Sequence, residues 1–433
     1  MSRLLLVSYL FPPLGGVGVQ RALSLAKYLP QNGFEVHVLQ ARNAAGPVSD
    51  PALLQQIPPG VRIHQAFTPE LPFHFRQALW RIFGGKSKPA NATPAAKSRS
   101  FRLTRIPVEI GRRVLCPEPE ITWVPFALRR ARRIVREFGI DSVVVTAPPF
   151  SAFLVGVALK REFPHLRLVA DFRDDWLSFY LGEFEYQNSD YTRKRAMQID
   201  RETIQAADRV VVVTQAMLDR FRERYPDQKS EKFVLIPNGF DPAVLPEPAV
   251  RANHRPKVVV SHIGTVYSAS SPRYYLDALE SLPEHIRDGI ETRFVGRIAE
   301  EEKPFLSNRK AQVTSVGFLP QKEALNEMVQ ADYLLLTMTD SASLTGKVFE
   351  YLATGKPILA IADENGEVAR ILRETGAGWC ASPNKPDEIR TLLKRAYERI
   401  RAGGANFCPN WNVIRRFERP RLVAEFGLLV KNA

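Results

Sequence analysis

Four residues in one short stretch have the types and spacing to hold a nucleoside diphosphate. Thr345-Gly346-Lys347 sits where a loop turns into a helix, and Glu350 follows Lys347 by three residues, about one helical turn. Backbone N–H groups and the helix dipole can meet phosphate oxygens at such a place. A lysine adds a point charge, and a carboxylate can accept hydrogen bonds from a pair of sugar hydroxyls. The whole stretch, LTGKVFEYLATGKPILAI (344–361), closes its helix at Gly355 and starts a strand at Pro357. The same spacing suits an amphipathic helix with an ordinary glycine C-cap. Spacing alone leaves both readings open.

A second group lies in DFRDDW (171–176). Asp171, Arg173 and Asp174 close an apolar strand, where parallel α/β sheets place ligands, and they could shape an acceptor site. The alternative is a salt-bridged strand end with a helix cap from Asp174 or Asp175. A third group is the glycine loop FPPLGGVGVQ, with Gly15, Gly16 and Gly18. It matches GxGxxG poorly, and no acidic residue ends the second strand, so it argues against a dinucleotide site. Asn238 and Asp241 in PNGFD read as turn and hinge residues.

The elements that must position these groups read as two α/β series. Strands are expected at 3–9, 34–40, 61–66, 142–146, 166–172, 209–214 and 233–236, with helices at 21–29, 121–137, after the APPFS segment (147–151) to Arg161, 191–207 and from Gln215. Ala22, Leu25, Ala26 and Leu29 share one helix face. Residues 242–256 hold four prolines without periodicity and read as a linker. A second series follows, with strands at 257–263, 291–296, 312–316, 332–337, 357–361 and 377–381. Its helices are expected at 271–281, 321–330, 346–354, 366–374 and 386–401, and the tail 410–430 reads as a helix with apolar anchors. A chain of 433 residues suits two domains.

Composition narrows the function classes. Cys116, Cys380 and Cys408 are widely separated, without CxxC or a Cys/His cluster. That argues against a disulfide framework and a zinc site, and it suits a reducing cytoplasm. No apolar run approaches the roughly 18–20 residues of a membrane span. The N-terminal MSRLLLVSYLFPPLGG has a short apolar run leading into a glycine loop, and reads as a buried strand rather than a targeting signal.

The net charge of +14 implies an anionic partner. It is concentrated in residues 76–136, with fifteen Lys/Arg against three Asp/Glu. Helices 71–84 and 121–137 could dock on anionic lipid, inserting Phe73, Trp80 and Phe83 or Trp123 and Phe126. Residues 85–100 are low-complexity. A solvated helix face is the alternative, and nucleic-acid binding is disfavoured because no recognised module accompanies the charge.

Laid out in order, FPPLGGVGVQRALSLAKYL, IPNGFD, VSHIGTVYSASSPRYYLDAL, VGFLPQKEALNEMVQADYLLL and TGKVFEYLATGKPILAI resemble the motifs of a GT-B glycosyltransferase of family 4. TAPPFSAFLVG followed by LVADFRDDW resembles the bacterial enzymes that build surface polysaccharides. The resemblance implies an α/β fold of two Rossmann-like domains facing across a cleft. It implies an acceptor-side domain at 1–242 with a basic insertion at about 71–137, a linker at 243–256, a nucleotide-sugar domain at 257–409, and a C-terminal helix at 410–433 packing toward the first domain.

It further implies retaining transfer of a hexose-type sugar from a UDP- or GDP-sugar to a glycan or polyprenyl-diphosphate-linked acceptor, without a cofactor or required metal. The setting would be the cytoplasm, with peripheral attachment to the inner face of the plasma membrane. By position, Glu350 matches the ribose-binding carboxylate, and Thr345, Gly346 and Lys347 lie near the diphosphate. Gly15 and Gly16 would approach the donor phosphates, and Thr265 and Tyr267 lie in the phosphate-side loop. Lys347 and Arg273 are the candidate cations for the leaving group, and Asp171, Arg173 and Asp174 the candidates for acceptor-side chemistry.

Three positions depart from the family pattern. Ala342 stands where a second glutamate is common, with Asp340 nearby; Arg273 alone represents the usual Arg and Lys pair; and Phe153 stands where relatives often have histidine. Two other classes fit the same architecture: a nucleotide-sugar epimerase and a non-catalytic GT-B subunit.

Overall fold

The computed structural model describes residues 1–44, 49–69, 115–178, 190–245, 256–339, 344–403 and 407–433. They form two compact units, one of 1–213, 217–236 and 423–433, the other of 214–216 and 237–422. The expected helix 71–84, the low-complexity run 85–100, and Asp340 and Ala342 lie outside the described residues, as does most of the expected linker.

Among the described residues the first unit has a seven-stranded parallel sheet. Its strands are β1 (Ser2–Ser8), β2 (Phe34–Ala41), β3 (Arg62–Ala66), β4 (Ser142–Ala147), β5 (Arg167–Phe172), β6 (Arg209–Val212) and β7 (Phe233–Leu235). Their order is β3-β2-β1-β4-β5-β6-β7. Parallel strands are covered on both faces, so they read as unbroken apolar runs. Leu4, Leu5, Leu6 and Val7 of β1 are accordingly all buried, in register with β2 on one side and β4 on the other. The helix Val17–Tyr28 starts ahead of the expected Arg21, right after Gly16, and its predicted apolar face is buried.

One aromatic cluster dominates this core. Phe150 stacks on Trp176 at 4.7 Å and Phe153 packs on Phe172 at 4.3 Å. Phe153 is therefore a packing residue in this chain, buried on the sheet face rather than presented to a ligand.

The basic helix corrects one expectation. A 3-10 turn, Pro119–Trp123, precedes the helix Val124–Phe138, whose first turn holds Pro125. The turn sends Trp123 into the core, where its Nε1 donates to Ala66 O at 3.3 Å. Trp123 cannot insert into a membrane from there, whereas Phe126 remains exposed.

Among the described residues the second unit has a six-stranded parallel sheet. Its strands are β8 (Val258–Ile263), β9 (Ile290–Val295), β10 (Gln312–Gly317), β11 (Tyr333–Thr337), β12 (Ile358–Ile361) and β13 (Gly378–Ala381). Their order is β10-β9-β8-β11-β12-β13. All six expected strands and five expected helices are present, and two short helices, Glu284–Arg287 and Lys303–Leu306, were not anticipated. Residues 410–422 pack into this unit rather than away from it. Ile414 joins its core, and the Phe417 ring lies 5.0 Å from that of Phe349. Residues 423–433 count with the first unit, where Lys431 Nζ donates to Asn32 O at 2.8 Å.

Candidate functional site

In the second sheet the chain winds outward from β8 one way and from β11 the other. Neighbouring strands at such a reversal leave a crevice beyond their C-terminal ends, where open α/β sheets bind ligands. The loop after β8 supplies Gly264, Thr265 and Tyr267. The helix Lys347–Ala353 enters beside it. Val348, Phe349 and Leu352 bury its inner face. Tyr351 fixes its rotation, for the phenol oxygen accepts from Ile263 N at 2.8 Å and lies 3.3 Å from the carbonyls of Ile263 and Leu335.

This docking threads the Lys347 side chain over Gly264. A Cβ added at Gly264 would lie 2.2 Å from Lys347 Cε, and the residue has φ +128°, so glycine is required on both counts. The next loop closes as tightly, since a Cβ at Gly296 would lie 2.3 Å from Gly264 O. Lys347 Nζ then donates to Thr265 O at 3.2 Å and lies 3.2 Å from His262 Nε2. Burial pulls the Lys347 ammonium down to about 8, with the Glu350 charge working the other way. Glu350 is half-buried, and burial raises its carboxyl above the ordinary value, opposed by Arg419 and Lys347. It forms no hydrogen bond or ion pair with another described residue.

The remaining second-unit candidates are placed as follows. Thr345 and Gly346 shape the turn, their carbonyls accepting from Val348 N and Phe349 N, both at 3.2 Å. The helix they open is only seven residues long. Lys347 carries a full charge against the half-charge of a helix terminus, so it is the principal cation. Tyr267 donates its backbone N–H to Ser270 Oγ at 3.2 Å and leaves its ring exposed. Arg273 is exposed, and its guanidinium lies 4.3 Å over the Phe305 ring, its contact among the described residues.

The strand-end group of the first unit is arranged differently. Asp171 is fully buried at the end of β5, and the Arg21 guanidinium grips it with Nε and Nη2 at 2.8–3.0 Å. Thr146 Oγ1 donates a further bond to it at 2.7 Å, and Arg21 also reaches Ile236 O at 3.1 Å. These are the partners of a salt-bridged strand end. Arg173 is spent on backbone carbonyls. Nε meets Ala147 O at 3.0 Å, Nη2 meets Pro148 O at 2.8 Å, and Nη1 meets Gly18 O. It thereby ties the first turn of the helix that follows the glycine loop after β1 to the end of β4 and the loop beyond it, at the reversal point of the first sheet. Gly15 and Gly16 precede this tie in the open part of the glycine loop.

Asp175 pairs with Arg220 and Arg224, each at 3.0 Å. Asp174 has no hydrogen-bond partner among the described residues. Its side chain is exposed, but the protein around it still raises its pKa, with the Arg173 charge opposing.

Sequence reasoning missed two features. His262, buried at the end of β8, is the direct neighbour of Lys347, yet no local pattern marks it out. Asp200 is a fully buried carboxylate, held by Trp176 Nε1 at 2.6 Å and by the Tyr225 hydroxyl. Both depend on partners distant in sequence.

Comparison with known proteins bears on the family and the fold. Residues 89–244 match Glycosyltransferase Family 4, and residues 257–399 match Glycosyl transferases group 1. The probable glycosyltransferase WbjE of Pseudomonas aeruginosa is 26% identical over 206 residues, covering 45% of this chain. The match spans 50% of WbjE, so the chain covers about half the length of this curated relative. Anabaena Alr3699/HepE, solved in complex with UDP and glucose, superposes with a TM-score of 0.63 at 16% identity over 100% of both chains. WaaG, a glycosyltransferase involved in lipopolysaccharide biosynthesis, superposes with a TM-score of 0.61 at 14% identity over 99% of this chain and 100% of its own. Sucrose-phosphate synthase from Thermosynechococcus elongatus gives 0.65 at 15% identity over 100% and 99%. At these identities the structural likeness is one of fold.

Proposed function

The chain belongs to glycosyltransferase family 4, with the GT-B type of fold, and from that premise we propose that it moves a hexose-type sugar from a UDP- or GDP-sugar to a glycan or polyprenyl-diphosphate-linked acceptor in polysaccharide biosynthesis. The observation that carries the reading is the pair of Lys347 and Glu350. Both stand at the reversal point of the second sheet, and neither forms a salt bridge among the described residues. The ammonium has a donor left for a diphosphate oxygen, and the carboxylate can accept from the ribose hydroxyls. As the glycosidic bond to the diphosphate breaks with retention, the fixed cation stabilises the departing charge. HepE is described with UDP and glucose, which supports a nucleotide-sugar donor by analogy.

On the acceptor side the candidate is Asp174. It is the carboxylate of the DFRDDW turn without a hydrogen-bond partner among the described residues, while Asp171 and Arg173 hold that turn in place.

An anionic membrane surface remains a candidate partner of the helix Val124–Phe138, with Trp123 withdrawn into the core and Phe126 left outside. Phe126 and Phe67 form an exposed edge-to-face pair with ring centres 5.4 Å apart. Arg129 and Arg133 follow Phe126 along one helix side, both exposed and without partners among the described residues. Arg132 and Arg136 are instead bound to Glu162, each at 2.6 Å. Among the described residues no helix is long and apolar enough to cross a membrane, so attachment of this part would be peripheral.

A thermal-shift screen of nucleotide sugars tests the donor reading, because a ligand of the native state raises apparent stability by mass action. A UDP- or GDP-sugar should raise Tm and release free nucleoside diphosphate on incubation. Free epimerised sugar nucleotide, or silence across the panel with and without lipid acceptor, would contradict it.

A further inference from the structure

We propose that His262 is the positioning residue of the site, aiming the Lys347 ammonium at the donor diphosphate by accepting one of its three hydrogen bonds. The inference rests on the reading of Lys347 given above and concerns what sets that lysine's direction.

His262 Nδ1 lies 3.1 Å from Leu335 O. A carbonyl only accepts, so Nδ1 carries the ring proton. In a neutral ring Nε2 is then a bare lone pair. That lone pair faces Lys347 Nζ at 3.2 Å, and an ammonium only donates. The ring stays neutral because it is completely enclosed and lies beside the lysine charge, and both push its pKa well below the ordinary histidine value.

Two ammonium hydrogens are thereby assigned, one to His262 Nε2 and one to Thr265 O at 3.2 Å. The stem is confined by Gly264, against which it lies so closely that no side chain fits. Two acceptors and a confined stem leave the third N–H a single direction. A lysine otherwise has a flexible four-carbon stem and loses much rotamer freedom on binding a phosphate. Fixing it beforehand removes that cost from the binding step. The chain of constraint runs from β11 through Leu335 O to the His262 ring on β8, and from there to Lys347.

The test combines a tautomer measurement with a set of variants. Nitrogen-15 NMR of histidine-labelled wild-type protein should show His262 as the neutral Nδ1–H form from about pH 6 to 8. An Nε2–H tautomer, bonded to Thr265 O instead, or an imidazolium, would overturn the proposal without any variant. His262→Phe should weaken binding of the donor nucleotide by about tenfold, as expected for a lost hydrogen bond to a charged group. His262→Gln, which keeps an acceptor where Nε2 stands, should recover most of that loss.

The pH profile separates positioning from packing. Lys347 is faced by His262 and, as a charge, by Glu350. Removing an acceptor that favours the ammonium should move the high-pH loss of affinity to lower pH in His262→Phe. A merely structural histidine would lower Tm without moving that limb. Lys347→Met is the control. If it leaves donor binding unchanged, the site reading itself fails; if it weakens binding while His262→Phe does not, only the positioning role fails.

Discussion

Each unit holds a cluster of charged residues at the C-terminal ends of its parallel strands, and the two clusters treat charge in opposite ways. In the first, Asp171 accepts from both Arg21 nitrogens and from Thr146, and Arg173 is spread over three backbone carbonyls. In the second, Lys347 has two neighbours for three donors, and Glu350 has no hydrogen-bond partner among the described residues. A buried charge is costly unless paired, so the first cluster is what a stable strand end requires. The second carries a cost that a ligand could offset, as expected of a site held ready for an anion.

The contrast can be broken most forcefully from the saturated side. Asp171→Ala removes the buried carboxylate that the nearly buried Arg21 grips, and should cost about 3–5 kcal/mol of stability in denaturant unfolding. A loss of less than about 1 kcal/mol would show that the first cluster is not structural.

A smaller effect should appear with pH at the open cluster. The Lys347 ammonium titrates near 8, below the ordinary lysine value. The charge proposed to attract the diphosphate is therefore complete well below that pH and lost as pH rises through it. Donor affinity measured by calorimetry should hold on the acid side of pH 8 and fall above it. Affinity unchanged to pH 10, near the usual lysine value, would remove Lys347 from the diphosphate site.

The smallest effect on the fold is expected at the basic helix. Arg129→Glu with Arg133→Glu touches no partner among the described residues, so stability should change by no more than about 0.5 kcal/mol. Co-flotation with anionic vesicles should nevertheless be lost, since each basic residue near such a surface contributes about 1 kcal/mol. Unchanged flotation would contradict the docking role of this face.

The architecture was largely legible in the residues because parallel strands leave a simple trace. Runs such as VVVT at 143–146 and YLLLT at 333–337 are buried on both faces and sit between helix-period segments. Gln321–Gln330 and Pro386–Arg401 coincide with their predicted limits; Pro320 and Pro386 mark their starts, and Gly403 lies just past the end of the second.

The sites were legible only in part. Lys347 and Glu350 are a local pattern, one turn apart on one helix. Asp171 was ambiguous because its partner Arg21 lies 150 residues away in sequence. His262 was missed for the same reason, being 85 residues from Lys347. Trp123 was misplaced because periodicity extended the helix through a turn whose geometry proline decides. Local periodicity reports burial along one element; it carries little information about which charges meet between elements.

The account turns on Glu350 being an open acceptor rather than a helix residue that happens to be acidic. Calorimetric titration of the donor nucleotide into wild-type protein and Glu350→Ala tests this directly. The account predicts a loss of about 2–4 kcal/mol in donor affinity or transition-state stabilisation, with Tm nearly unchanged, because two ribose hydroxyls lose a charged acceptor. Equal affinity and turnover in a folded Glu350→Ala protein would contradict it.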